Sequence, residues 1–340
     1  MKRMFSATIA VTAALGIIFS AAAPSRAAFK ENIWAARPSA MGGAFSAVSN
    51  DVSAIFFNPA GLSQIERPEG NFGYTQKFMG LPNVTVGNMS AMFGYPAEKI
   101  GAFGLGYFSS DVSSLYSERT IALTYSAPIH KMLGTKTLKV GKRSMEFPKL
   151  SVPVYAGLNL KMLSINYNIG DDPRAARDPV FDGGQSAGGL AADIGFLVKP
   201  ADKLSTALVI KNLISPNLAI GKDSDDKKAS EAAPMEIGLG VAWRFGDFGT
   251  FEDFVAALDI ANRAPKDGAA ETNWRLGAES WFGYHRYAAR LGINNTEIAL
   301  GGGLVRTFGN LELQVDYSFA LPLAVSDNSG HHRLSVTTRF

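Results

Sequence analysis

The fold of this chain is decided by residues 235–245, which read Met-Glu-Ile-Gly-Leu-Gly-Val-Ala-Trp-Arg-Phe. Every second residue from Met235 to Phe245 is large and apolar, whereas the residues between them are small or charged. This period of two predicts a β-strand with one apolar face and one polar or small face. A strand of about ten residues is also long enough to cross a lipid bilayer at a tilt.

The same alternation recurs along most of the chain, for example in residues 119–126, 190–199 and 311–319. The segments that show it are 70–78, 84–95, 100–108, 118–127, 152–165, 188–199, 203–212, 234–245, 252–262, 273–282, 286–293, 297–307, 310–320 and 331–340. Bacterial transmembrane barrels have an even number of such strands. We therefore predict an all-β fold, a fourteen-stranded antiparallel transmembrane β-barrel over residues 70–340.

The connections between these segments alternate in length. The short ones are 96–99, 200–202, 246–251, 283–285 and 309. The long, polar ones are 109–117, 166–187, 213–233, 263–272 and 321–330. Outer-membrane barrels have short periplasmic turns and longer external loops, so this asymmetry favours the barrel. The connection 128–150 departs from the rule, because it is long and basic where a short turn is expected.

Composition excludes other classes. The 340 residues are 46% hydrophobic and 19% charged, and a net charge of +3 is too small to indicate nucleic acid as a partner. The chain has no cysteine, which excludes disulfides, thiolate metal sites, cysteine nucleophiles and a lipid anchor on cysteine. The 35 glycines and 22 phenylalanines suit aromatic-rich sheet better than helix bundles.

The N-terminus has the features of a signal peptide. Lys2 and Arg3 precede an apolar run over 9–19, and Ser25-Arg26-Ala27 ends a small-residue region of the A-x-A type. We predict a signal peptide over residues 1–28, cleaved after Ala27 or Ala28. The alternative is an uncleaved anchor, but the apolar run is shorter than the ~20 residues of a spanning helix. The predicted location is the outer membrane of a Gram-negative type cell.

Residues 29–69 come between the signal peptide and the first strand. Their central part, 36–63, is apolar and rich in glycine and alanine without a repeating polar face, so we expect it to be buried as a plug inside the barrel. The motif residues are Met41, Gly42, Gly43, Asn58, Pro59, Ala60 and Gly61. Pro59 restricts its own φ and makes Asn58 extended, and Gly61 permits a tight reversal without a helix. We expect the Asn58 amide to satisfy backbone groups of the plug or the wall; the alternative is direct contact with a ligand.

Charged side chains occupy the polar faces of the predicted strands in mid-strand, where they would project into the lumen. They are Glu236, Arg244, Asp259, Arg275, Glu279, Arg290, Glu312 and Asp316. We predict that they form a polar network that fills the lumen and holds the plug. The inward apolar candidates for a hydrophobic route are few, namely Leu197, Val209, Val255 and Val305.

A secreted β-sandwich would also explain the alternation of apolar and polar residues along the strands, but two features favour a membrane barrel. Aromatic residues such as Trp243, Trp281 and Phe308 gather near strand ends, as in the interfacial girdles of membrane barrels. The chain ends on Phe340, and a terminal Phe on an amphipathic last strand resembles the signal that the barrel-assembly machinery reads. We therefore expect outer-membrane lipid and that machinery as partners, and a monomer.

The plug segment also carries a family resemblance. The residues 40–45, 50–51 and 53–62 look like the N-terminal hatch of the FadL superfamily of fatty-acid channels, and they are closer to its PorV/PorQ branch, as is the closing stretch 332–340. The resemblance implies a plugged barrel in which a hydrophobic ligand passes the hatch and leaves sideways through the wall. In the PorV branch, it implies a barrel that receives cargo proteins of type IX secretion.

Other chemistry is weakly indicated. Four histidines stand in no Ser/His/acid pattern, so we expect no enzyme, and we expect no metal or cofactor. The pair His331-His332 is expected to be solvated, and the charged run 223–228 lacks the Gly and Glu of a calcium loop. Gly301-Gly302-Gly303 is expected to bend the wall or let the plug approach. The predicted function is transport of a hydrophobic small molecule past the plug; the alternative is docking of a secreted protein cargo.

Overall fold

The computed structural model describes residues 29, 35–82, 84–97, 100–113, 115–132, 137–140, 143–146, 152–170, 178, 181, 184–221, 232–264, 270–325 and 328–340. The predicted signal peptide, 1–28, and the charged run 223–228 lie outside these residues.

Strands make up most of the described chain. They are β1 (Glu69–Lys77), β2 (Val86–Ala97), β3 (Gly101–Val112), β4 (Tyr116–Ala127), β5 (Thr137–Val140), β6 (Arg143–Glu146), β7 (Val154–Tyr167), β8 (Ser186–Ala201), β9 (Leu204–Ile214), β10 (Met235–Phe248), β11 (Phe251–Ala264), β12 (Glu271–Phe282), β13 (Tyr287–Asn294), β14 (Glu297–Phe308), β15 (Leu311–Pro322) and β16 (His331–Arg339). Strands β1 to β4 and β7 to β16 close into one antiparallel barrel, so the fourteen-stranded prediction is confirmed. Each pairs with the next barrel strand along the chain, β4 pairs with β7 across the hairpin of β5 and β6, and β1 closes on β16 with Glu69 opposite Arg339.

The two ends of the barrel differ. We call the end where β1 begins and β16 ends the turn end, because its connections include the short turns 202–203, 249–250 and 309–310. The opposite end is called the loop end, and it carries the longer connections 168–185 and 215–234. The prediction of a long connection over 109–117 was wrong. The polar residues after Phe108 continue β3 to Val112, and β4 already begins at Tyr116.

The alternation in sequence appears as an alternation between outside and inside. On β7, Met162 is 56% exposed on the outer face, and its neighbour Leu163 is 2% exposed in the lumen. On β10, Leu239 is 60% exposed, and the neighbouring even-numbered residues face inward. The outer surface is thus a continuous band of large apolar side chains, which a soluble protein rarely exposes.

The core of the molecule lies in the lumen. Short helices span Ala36–Ala40 and Ala54–Phe57, and a 3-10 helix spans Pro59–Gln64. Within this plug, Met41, Phe45, Ile55 and Leu62 are completely buried against small residues of the wall. Among the described residues, no helix is long and apolar enough to cross a membrane.

Two local features differ from expectation. The reversal at residues 58–61 is helical, because Pro59 begins the 3-10 helix and Asn58 caps it in an extended conformation. The basic connection 128–150 contains the short helix Ile129–Met132 and a hairpin of β5 and β6, which lies outside the barrel sheet. Strands of four residues are too short to show a periodic pattern, so the sequence does not predict this hairpin.

Candidate functional site

The plug is tied to the barrel wall by Arg37, which lies in the helix Ala36–Ala40. Its Nη1 is 2.6 Å from Oδ2 of Asp51, within the plug. Its Nε and Nη2 donate to the two carboxylate oxygens of Glu279 on β12, at 2.8 and 2.7 Å. Burial would raise the pKa of the Asp51 carboxyl, but the Arg37 guanidinium and the hydrogen bond from Ser53 together outweigh burial and hold that pKa below its ordinary value.

The ion pairs continue along the wall from Glu279. Arg290 on β13 donates from Nε to Glu279 at 2.6 Å and from Nη1 to Asp316 on β15 at 2.7 Å. Gln314 donates to the other oxygen of Asp316 at 2.8 Å. These charges are buried and paired, so they form a connected network rather than a lining for ions.

Other wall side chains satisfy the backbone of the plug. Oδ2 of Asp259 accepts from the N–H groups of Phe45 and Ser46 at 3.2 and 2.9 Å. Asn294 donates to the carbonyl of Gly42 at 2.9 Å, and Asn159 donates to that of Ile55 at 2.7 Å. Backbone that is not helical needs such partners when a barrel encloses it.

Asn58 joins three parts of the molecule. Its Oδ1 accepts from the N–H of Ala60 at 3.1 Å, and its Nδ2 donates to the carbonyls of Ser46 and Phe196 at 2.9 and 3.2 Å. Pro59 follows it at the first position of the 3-10 helix. The hydrogen bonds of the motif are therefore taken up by structure, which fits a fixed plug.

Glycines set the distance between plug and wall. Gly42 has φ +62° and lies very close to β13. A Cβ added to Gly292, on β13, would stand 1.9 Å from the backbone nitrogen of Gly42. Gly43 has φ +81°, another conformation that glycine adopts readily. A Cβ on Gly61 would lie 2.2 Å from the carbonyl oxygen of Ser49, so this glycine permits close packing inside the plug. On β14, a Cβ on Gly301 would lie 2.4 Å from Cβ of Ala40.

A second group of charges lies on the β9 to β12 side. Glu236 pairs with Arg263 at 2.6 Å and is 3.8 Å from Arg275 and 4.0 Å from Lys211. Lys211 stands over the ring of Phe57, 5.8 Å from its centroid. Glu236 and Arg275, which were both predicted as lumen charges, therefore lie in one group. Arg263 and Lys211 belong to the same group, although they were not predicted.

A third polar cluster was missed by sequence reasoning. Lys161 on β7 donates to Asp193 on β8 and to Asn212 on β9, both at 2.6 Å. Asp193 also accepts from the backbone N–H of Asn212, whose φ is +53°, at 2.8 Å. Here the β8/β9 ladder shifts register between Ala192 and Ile194, and the cluster covers the shift on the inside. The sequence feature that could have revealed this cluster is the charged residue on the polar face of each strand, Lys161 on β7 and Asp193 on β8.

Two of the predicted lumen charges stand apart from these groups. Arg244 pairs with Asp253 at 3.0 Å, and its side chain is 49% exposed at the turn end. Glu312 pairs with Arg339 at 2.6 Å and with Arg67 at 3.1 Å, also at the turn end. These side chains line a polar cavity of about 520 Å³ between the plug and the turn end. Phe340, beyond β16, is 57% exposed and donates its backbone N–H to Pro68.

An apolar cluster lies at the loop end, between β4, β7, β8 and the described residues Leu218 and Ala233. We call it the Phe29 pocket, because the ring of Phe29 fills it. Its buried walls are Leu163, Ile165, Ala191, Leu218 and Ala233, with Tyr116 and Tyr167 packed beside them. This site is separate from the inward apolar residues that the sequence predicted. Of those, Leu197 and Val255 belong to the cluster that contains the plug, and Val209 is buried elsewhere on β9.

The pair His331-His332 was expected to be solvated, but one of its two side chains is buried. His331 is 5% exposed, and its ring packs edge-on against Phe78 with centroids 4.5 Å apart. Its Nε2 is 3.8 Å from Glu297, which also pairs with Arg333. His332 faces outward and contacts the hydroxyl of Tyr317 at 2.6 Å. The expectation was wrong because β16 begins at His331 and carries it into the lumen.

Comparison with protein-family models finds no match, and comparison with curated proteins finds none either. Solved structures do match. The CymD monoaromatic hydrocarbon channel aligns with a TM-score of 0.55 and 15% identity, over 92% of this chain and 97% of that one. The toluene transporter TodX of Pseudomonas putida aligns with a TM-score of 0.54 and 14% identity, over 92% and 98%. At such identities the likeness is one of fold, and the chain shares the barrel fold of these hydrocarbon channels.

Proposed function

We propose that the chain is an outer-membrane channel of the FadL type that moves hydrophobic small molecules across the membrane. The observation that carries the proposal is the Phe29 pocket, a buried apolar site at the loop end that lies apart from the apolar core between the plug and the wall. A hydrophobic molecule entering from the loops would find its favourable environment there. The apolar outer band supports a membrane location.

The similar folds support the same proposal. CymD is described as a monoaromatic hydrocarbon channel and TodX as a toluene transporter. By analogy of fold, the cargo of this chain is a hydrophobic molecule of similar size. Residues 29–69 would act as the plug, after removal of a signal peptide over residues 1–28, and Phe340 would be read by the barrel-assembly machinery. The closer likeness to the PorV/PorQ branch, with its docking of secreted cargo, has no specific contact in its favour and stays a prediction.

A straight path through the barrel is blocked, since Met41, Phe45 and Ile55 of the plug are completely buried. We propose that the ligand leaves sideways instead. The register shift between β8 and β9 lies beside Ala191 of the Phe29 pocket. Ladder hydrogen bonds are interrupted at such a shift, and for this reason we place the exit between these two strands.

The test is native mass spectrometry of the barrel purified in mild detergent after exposure of the cells to toluene and to a mixture of longer alkylbenzenes. Wild type should retain hydrophobic molecules. Leu163→Gln, in the pocket, should lose them, whereas Leu197→Gln, an equally buried leucine that packs near the plug, should keep them.

Two outcomes would overturn the proposal. One is folded wild-type barrel that carries no hydrophobic molecule. The other is equal retention by both glutamine variants. A secreted protein that co-purifies in a one-to-one ratio without any small molecule would favour the docking role instead.

A further inference from the structure

We propose that Lys161 and Asn212 form an isopeptide bond, a covalent link between the lysine amine and the side-chain carbonyl of asparagine, with Asp193 as the acid and base of the reaction. The proposal does not depend on the transported molecule and goes beyond the proposed function. It is carried by the close approach of these three side chains, which come from three consecutive barrel strands.

The amine, the carboxylate and the amide meet at one point in the lumen. Nζ of Lys161 on β7 is 2.6 Å from Oδ1 of Asp193 on β8 and 2.6 Å from Oδ1 of Asn212 on β9. Since a C=O bond is about 1.23 Å long, Nζ lies at most about 3.8 Å from Cγ of Asn212, the atom that it would attack. Reacting atoms about 3–3.5 Å apart are in an attacking position, so little movement is needed.

All three side chains are withdrawn from water. Lys161, Asp193 and Asn212 are 7%, 4% and 7% exposed. A lysine amine is a nucleophile only in its neutral form, and a neighbouring base can provide that form. Transfer of one proton from Lys161 to Asp193 leaves two neutral groups, a change that costs less in a buried site than in bulk water.

Neighbouring groups orient the carboxyl group and the amide. Oδ1 of Asp193 accepts from the backbone N–H of Asn212 at 2.8 Å, and its Oδ2 accepts from Nδ2 of Asn159 at 3.1 Å. Nδ2 of Asn212 donates to the carbonyl of Pro234 at 2.9 Å, which leaves the amide oxygen directed at Lys161. The amide is therefore held with its carbonyl towards the amine and its nitrogen away from it.

The reaction balances without a further reactant. Asp193 takes one proton from Lys161, the neutral Nζ attacks Cγ of Asn212, and the carboxyl group gives its proton to the amide oxygen. Asp193 then moves a second proton from Nζ to Nδ2, and the Cγ–Nδ2 bond breaks as the carbonyl forms again. The proton released by the oxygen leaves with ammonia as ammonium, and Asp193 is again a carboxylate.

The bond would join β7 to β9 across β8. The β8/β9 ladder is interrupted at this level, between Ala192 and Ile194. A covalent link between the two flanking strands limits how far β8 and β9 can separate. The wall would thus be secured where its backbone hydrogen bonds are interrupted, and the proposed lateral exit would keep a fixed width.

The experiment is intact-mass spectrometry of the full-length barrel, before and after refolding from urea into detergent. Folded wild type should be lighter than the unfolded chain by one ammonia, about 17 Da. Digestion with trypsin should then give a branched peptide that joins Lys161 to Asn212. Lys161→Arg keeps the positive charge but has no nucleophilic amine, so it should keep its full mass.

Two further variants and a control define the chemistry. Asp193→Asn removes the proton carrier and should keep its full mass. Asn212→Asp should lose water instead of ammonia, about 18 Da, because the amine then displaces a hydroxyl group. The matched control is Lys211→Arg, at another buried lysine of the lumen, 4.0 Å from Glu236, and it should lose ammonia as wild type does. Migration of the unheated protein in SDS gels verifies that each variant is folded.

Folded wild type with its full mass would overturn the proposal, and the three side chains would then form an ordinary buried ion pair. A loss of ammonia that persists in Lys161→Arg, or a branched peptide that joins other residues, would overturn it as well. Loss of ammonia in folded Asp193→Asn would overturn the role of the carboxyl group. The mass of folded wild type decides the central claim even where a variant does not fold.

Discussion

Arg37 of the plug and Glu279 of β12 form a buried two-point ion pair across 242 residues of chain. The pair is shared, since Arg37 also binds Asp51 and Glu279 also binds Arg290. One guanidinium therefore neutralises part of two carboxylates, one in the plug and one in the wall. This arrangement adds a buried ionic link to the hydrogen bonds and the apolar packing that seat the plug.

Replacing Arg37 by Met should destabilise the plugged barrel by about 3–5 kcal/mol, because it leaves buried carboxylates without their cation. Urea unfolding in lipid vesicles, followed by tryptophan fluorescence, measures this free energy. The control is Arg67→Met, whose pair with Glu312 is partly exposed, and which should cost less than about 1 kcal/mol. Equal losses in both variants would mean that the buried pair does not hold the plug.

Acid should weaken the plug through Asp51. Its pKa in the folded protein lies below its ordinary value, so the carboxylate contributes stability at neutral pH. This contribution is complete above the unfolded pKa of about 3.9 and is lost as the pH falls towards the lower folded value. Urea unfolding of wild type and Asp51→Asn at a series of pH values should show a difference in the free energy of unfolding at pH 7. This difference should narrow below about pH 4. A difference in the free energy of unfolding that stays constant with pH would contradict this role of Asp51.

The glycines of β14 offer a matched pair for the fit of the plug. Gly301→Ala would place a methyl group 2.4 Å from Cβ of Ala40, whereas at Gly302 the nearest atom is 3.5 Å away. We expect Gly301→Ala to displace the helix Ala36–Ala40 and to make cells more permeable to large hydrophilic antibiotics. Gly302→Ala should leave permeability unchanged. Equal permeability of cells with either variant would show that the wall does not need this close approach.

The body of the plug should stay in place during transport. Ser39 and Ser318 touch with their hydroxyl oxygens 3.2 Å apart, as do Ser63 and Ser126 at 2.6 Å. Since the chain has no cysteine, replacing either pair by two cysteines gives a single defined disulfide between plug and wall. Uptake of a hydrophobic compound should remain close to that of the reduced protein. Uptake that falls on oxidation and returns with reductant would show that the plug body must move.

The barrel was predictable because its signal is local. Alternation such as that from Met235 to Phe245 depends only on neighbouring residues, and each segment shows it independently. The strand ends were less accurate, as at β8, which begins at Ser186 and ends at Ala201 rather than spanning 188–199. Small residues near the ends of a strand fit either face and carry no periodic signal.

The contacts of the lumen were only partly predictable. The polar faces identified Glu279 and Asp316 as inward charges, but nothing in one sequence links Glu279 to Arg37. Asn212 was missed because its positive φ and the register shift depend on the pairing of β8 with β9. The Phe29 pocket was missed because Met162 and Leu163 are both apolar, which hides the change of face.

The hydrophobic-channel proposal is tested most directly by the initial rate of uptake of radiolabelled toluene by intact cells. Cells with the barrel in their outer membrane are compared with cells that lack it, and radiolabelled arabinose is the hydrophilic reference. We expect faster uptake of toluene and unchanged uptake of arabinose, because the seated plug closes the aqueous path. Unchanged uptake of toluene in the presence of folded barrel, or an equal increase for both solutes, would contradict a plugged hydrophobic channel.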